Sequence, residues 1–223
     1  MEDYTTTFDQ WLSWVFDHPV ADPAWYWGDD YQWLEPPECS EIAAHFLNQL
    51  FESPALYLDQ YSDGQLNQGL QLIIDPGISS HFFALLDDRV PADKRIRGMR
   101  ATYNIFSSIF AHRCTAHLGH RNEMGDSPLN TLCYMWWDIC PFNGGRKEVG
   151  ALPVSEAAKT AMEKTLYIDH DACRESALHG LGHLALYQER ECSDIIDRFL
   201  NTASGLRPQL AEYAKCARKG CVQ

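Results

Sequence analysis

The chain has 223 residues, 45% of them apolar, and a formal net charge of −13. That length buries about 70% of the unfolded surface, and the apolar content excludes global disorder. The charge sets the protein against nucleic acid and anionic membrane as partners and favours a partner with a basic surface.

The charge is uneven. Residues 1–88 carry sixteen Asp and Glu and no Lys or Arg, about −16, whereas the remainder carries eighteen cations against fifteen acids, about +3. The start is polar and acidic, so no secretory leader is expected. No apolar run approaches the roughly 18 residues of a membrane span. The cysteines are scattered, with no Cys-x-x-Cys pair, and read as reduced thiols of a cytoplasmic protein. Cys221 is third from the end, so the prenylation pattern fails.

The spacing predicts a short helix over 5–17, with Phe8, Trp11, Leu12, Val15 and Phe16 on one side. Pro19–Pro37 is an irregular arm rich in Trp, Tyr and Asp, closed by two prolines. Ser40 caps a helix to about Glu52. Ser62-Asp63-Gly64-Gln65 is a capping box opening Leu66–Ile74, stopped by Pro76 and Gly77. Ser80–Leu86 is short and apolar. Pro91 starts a long helix to about His112, with Ile96, Met99, Tyr103, Phe106 and Phe110 inward. A loop over 119–125 follows, then a helix over Leu129–Ile139. Pro153 opens Val154–Ile168, Asp171 caps Ala172–Tyr187, Ser193 caps Asp194–Leu200, and Pro208 opens the last helix, stopped by Gly220. No segment alternates like a strand, so the fold class is all-α.

The segment Asp171–Leu184 carries Asp171, Arg174, Ala177, Leu181 and Gly182 at the positions typical of a second helix in a HEAT repeat. It resembles such a helix, and Pro91–Phe110 is a weaker echo with Asp93, Arg97 and Ala101. Ala177 and Gly180 would let a neighbouring helix approach closely. The resemblance implies an irregular α-solenoid, a HEAT-like stack of helical hairpins. The expected organisation is an acidic aromatic arm over 1–38, folded on a helical domain over 39–223. An irregular bundle with one Ala/Gly-rich helix is the alternative. Tyr134-Met135-Trp136-Trp137-Asp138 is also similar to a segment of a bacterial family, which implies no activity.

Four kinds of chemistry are testable. Glu175, His179 and His183 form one row along a helix. Cys114, His117 and His120 lie at i, i+3, i+6 near another helix end. Were the two elements to face each other, His117, His120, His179 and His183 would offer enough donors for tetrahedral zinc. The bland alternative is a set of surface histidines, or buried ones bonded to backbone and to carboxylates such as Asp138. Cys133, Cys140 or Cys173 beside a histidine would make a nucleophilic pair, but buried cysteines are usually core residues. Asn143-Gly144-Gly145-Arg146 reads as a turn before a phosphate cradle. Lys94, Arg95, Arg97 and Arg100 read as internal neutralisation of the acidic N-terminal layer.

The arm's Trp25, Trp27, Asp29, Asp30, Trp33 and Glu35 are the candidate partner-binding residues, set against internal packing of the indoles. The expectation is therefore a non-enzymatic interaction module without a cofactor. It would bind a protein with a basic surface, as an inhibitor or immunity-type protein does. The alternative is a metal-dependent, hydrolase-like enzyme using zinc, with Glu175 or Asp138 as general base.

Overall fold

The computed structural model describes residues 6–28, 39–123, 127–142 and 152–222. Among these residues all regular structure is helical. The α-helices are α1 (Phe8–Phe16), α2 (Ser40–Glu52), α3 (Pro54–Leu58), α4 (Asp63–Ile74), α5 (Ala92–Ile105), α6 (Ala111–Arg113), α7 (Asn130–Ile139), α8 (Leu152–Leu166), α9 (Asp171–Ala185), α10 (Glu189–Thr202) and α11 (Pro208–Ala217). None of them is long and apolar enough to cross a membrane.

Local chemistry explains most boundaries. Thr7 accepts from the Gln10 N–H at 3.3 Å while the Gln10 side chain accepts from the Thr7 N–H at 2.9 Å, a capping box that starts α1. The same reciprocal pair joins Ser62 and Gln65 at the start of α4, as the sequence predicts. The five apolar residues read as the inner side of α1 are all buried. The long helix expected from Pro91 to His112 forms, but with a wider π-turn over Phe106–Phe110 between α5 and α6.

Three expected starts are corrected. Cys39 occupies the cap position of α2 and Ser40 is its first residue. His170, not Asp171, precedes α9. α10 begins at Glu189, so Ser193 lies inside it rather than capping it. The Ser193 hydroxyl donates to the Arg218 carbonyl at 3.3 Å and ties α10 to the end of α11. α3, opened by Pro54, was not foreseen because five residues give no readable period.

One core of buried apolar residues runs from Phe8 in α1 to Ala217 in α11. α5 packs between α2 and α8, and α9 packs against α7, α8, α10 and α11. α9 is buried nearly all round, as expected of a helix whose apolar and small residues are not confined to one stripe. Its glycines make this possible. A Cβ on Gly180 would lie 2.7 Å from the Trp137 Cβ of α7, and one on Gly182 would lie 2.4 Å from Val222.

Cations from beyond residue 88 reach back to the acidic N-terminal part. Lys94 meets Glu41 at 2.7 Å, Arg97 meets Glu52 at 2.8 Å, and Arg113 meets Asp63 at 3.0 Å. Arg95 is buried and donates to the Val90 carbonyl at 2.9 Å. Of the four cations read from the sequence as neutralising the acidic layer, Lys94 and Arg97 do so, and Arg113 adds a third pair.

Candidate metal centre

Four elements meet beside the exposed end of α9. α7 supplies Tyr134 and Asp138, four residues apart and therefore on one side of the helix. α9 supplies Glu175, His179 and His183, α11 supplies Tyr213, and the 3-10 turn Gly119–Arg121 supplies His120. The close α7–α9 approach through Gly180 brings these helices into register. Gly119 does the same for the turn, since a Cβ there would lie 2.7 Å from the Tyr134 ring.

Glu175 is fully buried, and its carboxylate is satisfied from one direction. It accepts from the backbone N–H groups of Gly119 at 2.6 Å and His120 at 3.1 Å, and it contacts His120 Nδ1. Burial pushes its carboxyl above the ordinary range, while His120 and the two N–H groups oppose that shift. The His120 ring stacks on Tyr213 with centroids 4.5 Å apart. Glu175 therefore holds the turn and, through it, the Tyr213 ring.

The Tyr213 hydroxyl lies 2.7 Å from His179 Nδ1 and 3.2 Å from the Tyr134 hydroxyl. His179 is 2% exposed, and burial holds its pKa down at about 4, with His183 acting in the same direction and Asp138 against it. The ring is neutral at pH 7. Its Nε2 points at His183 Nε2, 3.1 Å away. His183 Nε2 lies 3.3 Å from Asp138 Oδ1. The ligand atoms of Asp138, His179 and His183 all lie within 4.8 Å of one another. Asp138 and His183 are partly exposed, so the group opens to solvent at one side and is walled by Tyr134 and Tyr213 at the other.

Of the four histidines singled out in the sequence, His179 and His183 come together, with Asp138 as the third member. His120 stands next to the group but turns to Glu175. His117 sits near Glu123, whose carboxyl is held low mainly by Arg207. Glu175 spends its oxygens on the turn, so it positions rather than abstracts a proton. Tyr213 was missed because nothing in its own segment marks it. Tyr134 and Asp138 carried a readable signal, their spacing of four on one helix.

The partner-binding candidates separate. The Trp25 ring stacks on His18 at 3.6 Å and meets Trp14 edge-on at 5.6 Å, so it packs internally. Trp27 is 56% exposed. Asp29, Asp30, Trp33 and Glu35 lie outside the described residues, as does Asn143–Arg146. Comparison of the chain with protein-family models, curated proteins and solved structures gave no match.

Proposed function

We propose that the protein binds a divalent transition-metal ion, zinc by its ligand chemistry, through Asp138, His179 and His183, and that it is a metal-dependent hydrolase. The observation that carries this reading is the spacing of the three donors. Tetrahedral zinc with bonds of about 2.0–2.1 Å sets neighbouring ligand atoms roughly 3.3 Å apart. The His179 Nε2–His183 Nε2 and His183 Nε2–Asp138 Oδ1 separations are 3.1 and 3.3 Å, and all three donor atoms lie within 4.8 Å of one another.

The surroundings support the same reading. With Nδ1–H of His179 donating to Tyr213, and Tyr213 donating to Tyr134, the Nε2 lone pair is free for the ion. A neutral imidazole held that way needs no deprotonation near pH 7. Three protein ligands leave one position for water, the pattern of catalytic rather than structural zinc. A metal supplies an activated water near neutral pH, so no separate strong base is required.

The test is equilibrium dialysis against zinc, followed by metal analysis and assays with activated esters and phosphodiesters. One tightly held ion per chain is expected, with affinity down at least about tenfold in His183→Ala and Asp138→Ala, and chelator-sensitive hydrolysis. A chain that retains no zinc, or variants that retain it fully, would refute the assignment.

A second reading is favoured by the N-terminal face. Trp27 of the N-terminal segment is exposed, and a groove of about 510 Å³ is lined by Asp9, Ser13, Asp17, Gln60, Tyr61 and Gln65. We propose this face as a docking surface for a basic protein partner. Binding that weakens with salt and with Trp27→Ala supports it, and binding indifferent to both removes it. The packing of α8 on α9 and of α9 on α10 supports HEAT-like hairpins, whereas the enclosure of α9 by α7 and α11 as well supports an irregular bundle. The free thiols support a cytoplasmic location.

A further inference from the structure

We propose that Cys133 and Cys173 are a redox pair, which a hydroperoxide converts to a disulfide tying α7 to α9. The two residues stand on α7 and α9, helices brought close together at Gly180. The Cys133 thiol neighbours Cys114 and Cys173, which together with burial hold it protonated. Cys133 Sγ lies 3.8 Å from the Ala172 carbonyl, and Cys173 Sγ lies 3.8 Å from the Phe106 carbonyl, where the π-turn begins. His170 closes the group. Its Nε2 lies 3.1 Å from the Cys114 carbonyl oxygen, its Nδ1 is buried with no hydrogen-bond partner, and Cys173 nearby raises its pKa.

Cys173 is set apart from the other buried thiols. It is the third residue of α9, where helix N–H groups and the positive end of the dipole favour an anion. The Cys133 thiol, then His170 and Arg174, bring its pKa down to about 6. By contrast, burial pushes the Cys140 and Cys192 thiols up. Cys133 is likewise held protonated, mainly by burial. One sulfur is thus poised to attack and its neighbour to resolve.

The chemistry balances with hydrogen peroxide as oxidant. The Cys173 thiolate attacks one peroxide oxygen, the O–O bond breaks, and the departing hydroxide takes a proton from His170 to leave as water. Cys173 is then a sulfenic acid. The Cys133 sulfur displaces its hydroxyl group, which leaves as a second water with the Cys133 proton. The S–S bond forms, two thiols are oxidised, and one peroxide is reduced. His170 and Cys114 are the least buried members of the group and mark its side nearest solvent.

The experiment uses the full chain with the exposed Cys39, Cys216 and Cys221 replaced by Ser. After peroxide treatment the chain is unfolded, alkylated and digested. The expected result is the loss of two alkylatable thiols and recovery of a peptide joining Cys133 to Cys173, both reversed by dithiothreitol. In Cys133→Ser, Cys173 should instead be trapped by dimedone as the sulfenic acid. All five buried thiols remaining alkylatable, or a disulfide joining a different pair, would overturn the proposal. The peptide map of the parent chain decides the matter even where the Cys133 variant fails to fold.

Discussion

At the residue scale, His179 links the site to stability. Its folded pKa of about 4 lies below the ordinary value of 6.5. Above both values the ring is neutral in either state and its full contribution is present. As pH falls below 6.5 the unfolded chain takes up a proton that the folded chain refuses, so stability is lost until pH reaches about 4. The loss from this group is at most about 3 kcal/mol. Denaturant midpoints between pH 7 and 4 should therefore fall in the wild type and fall less in His179→Gln. Parallel slopes would assign the acid sensitivity elsewhere.

Glu175 gives a second residue-scale expectation. Replacing it with Ala strips two partly buried N–H groups and His120 of their acceptor, and should cost about 2–3 kcal/mol in chemical denaturation. Glu175→Gln keeps one acceptor oxygen and should cost less. The sequence showed Glu175, His179 and His183 as one row, and that row exists. It does not show that the first member faces a turn more than fifty residues earlier while the other two face α7. Such a split depends on which helices flank α9, which spacing within one helix cannot reveal.

At the element scale, the α7–α9 contact sets the site. Gly180→Ala places a methyl 2.7 Å from the Trp137 Cβ, against a side chain fixed near the backbone. The expected loss is about 1–3 kcal/mol, together with weaker zinc binding, because Asp138 rides on α7. Unchanged stability and affinity would mean that the two helices separate without cost. The small residues of α9 made this contact legible in advance, since only close approach explains glycine inside a helix. The π-turn at Phe106–Phe110 was not legible. Its apolar pattern continues that of α5, and its altered hydrogen-bond step leaves no mark on composition. α3 and the true start of α10 escaped for a related reason. Short segments and early polar residues carry less periodic signal than tertiary packing overrides.

At the scale of the whole molecule, charge asymmetry and core act separately. The N-terminal part is held by apolar contacts such as Trp11 and Phe8 against Phe46, with exposed ion pairs along the edge. Each such pair contributes only about 0–1 kcal/mol. Repulsion among the excess acids of a chain at −13 opposes them. Added salt should therefore raise the melting temperature. A clear fall would show that the ion pairs, rather than the core, hold the N-terminal part in place.

The proposed function turns on one ion at one place. The most direct measurement is anomalous diffraction at the zinc edge from crystals grown with zinc. The expected result is a single strong peak bonded to His179 Nε2, His183 Nε2 and a carboxylate oxygen of Asp138, at about 2.0–2.2 Å. Crystals soaked to saturation that show no peak between those three side chains, or zinc bound only by other residues, would contradict it.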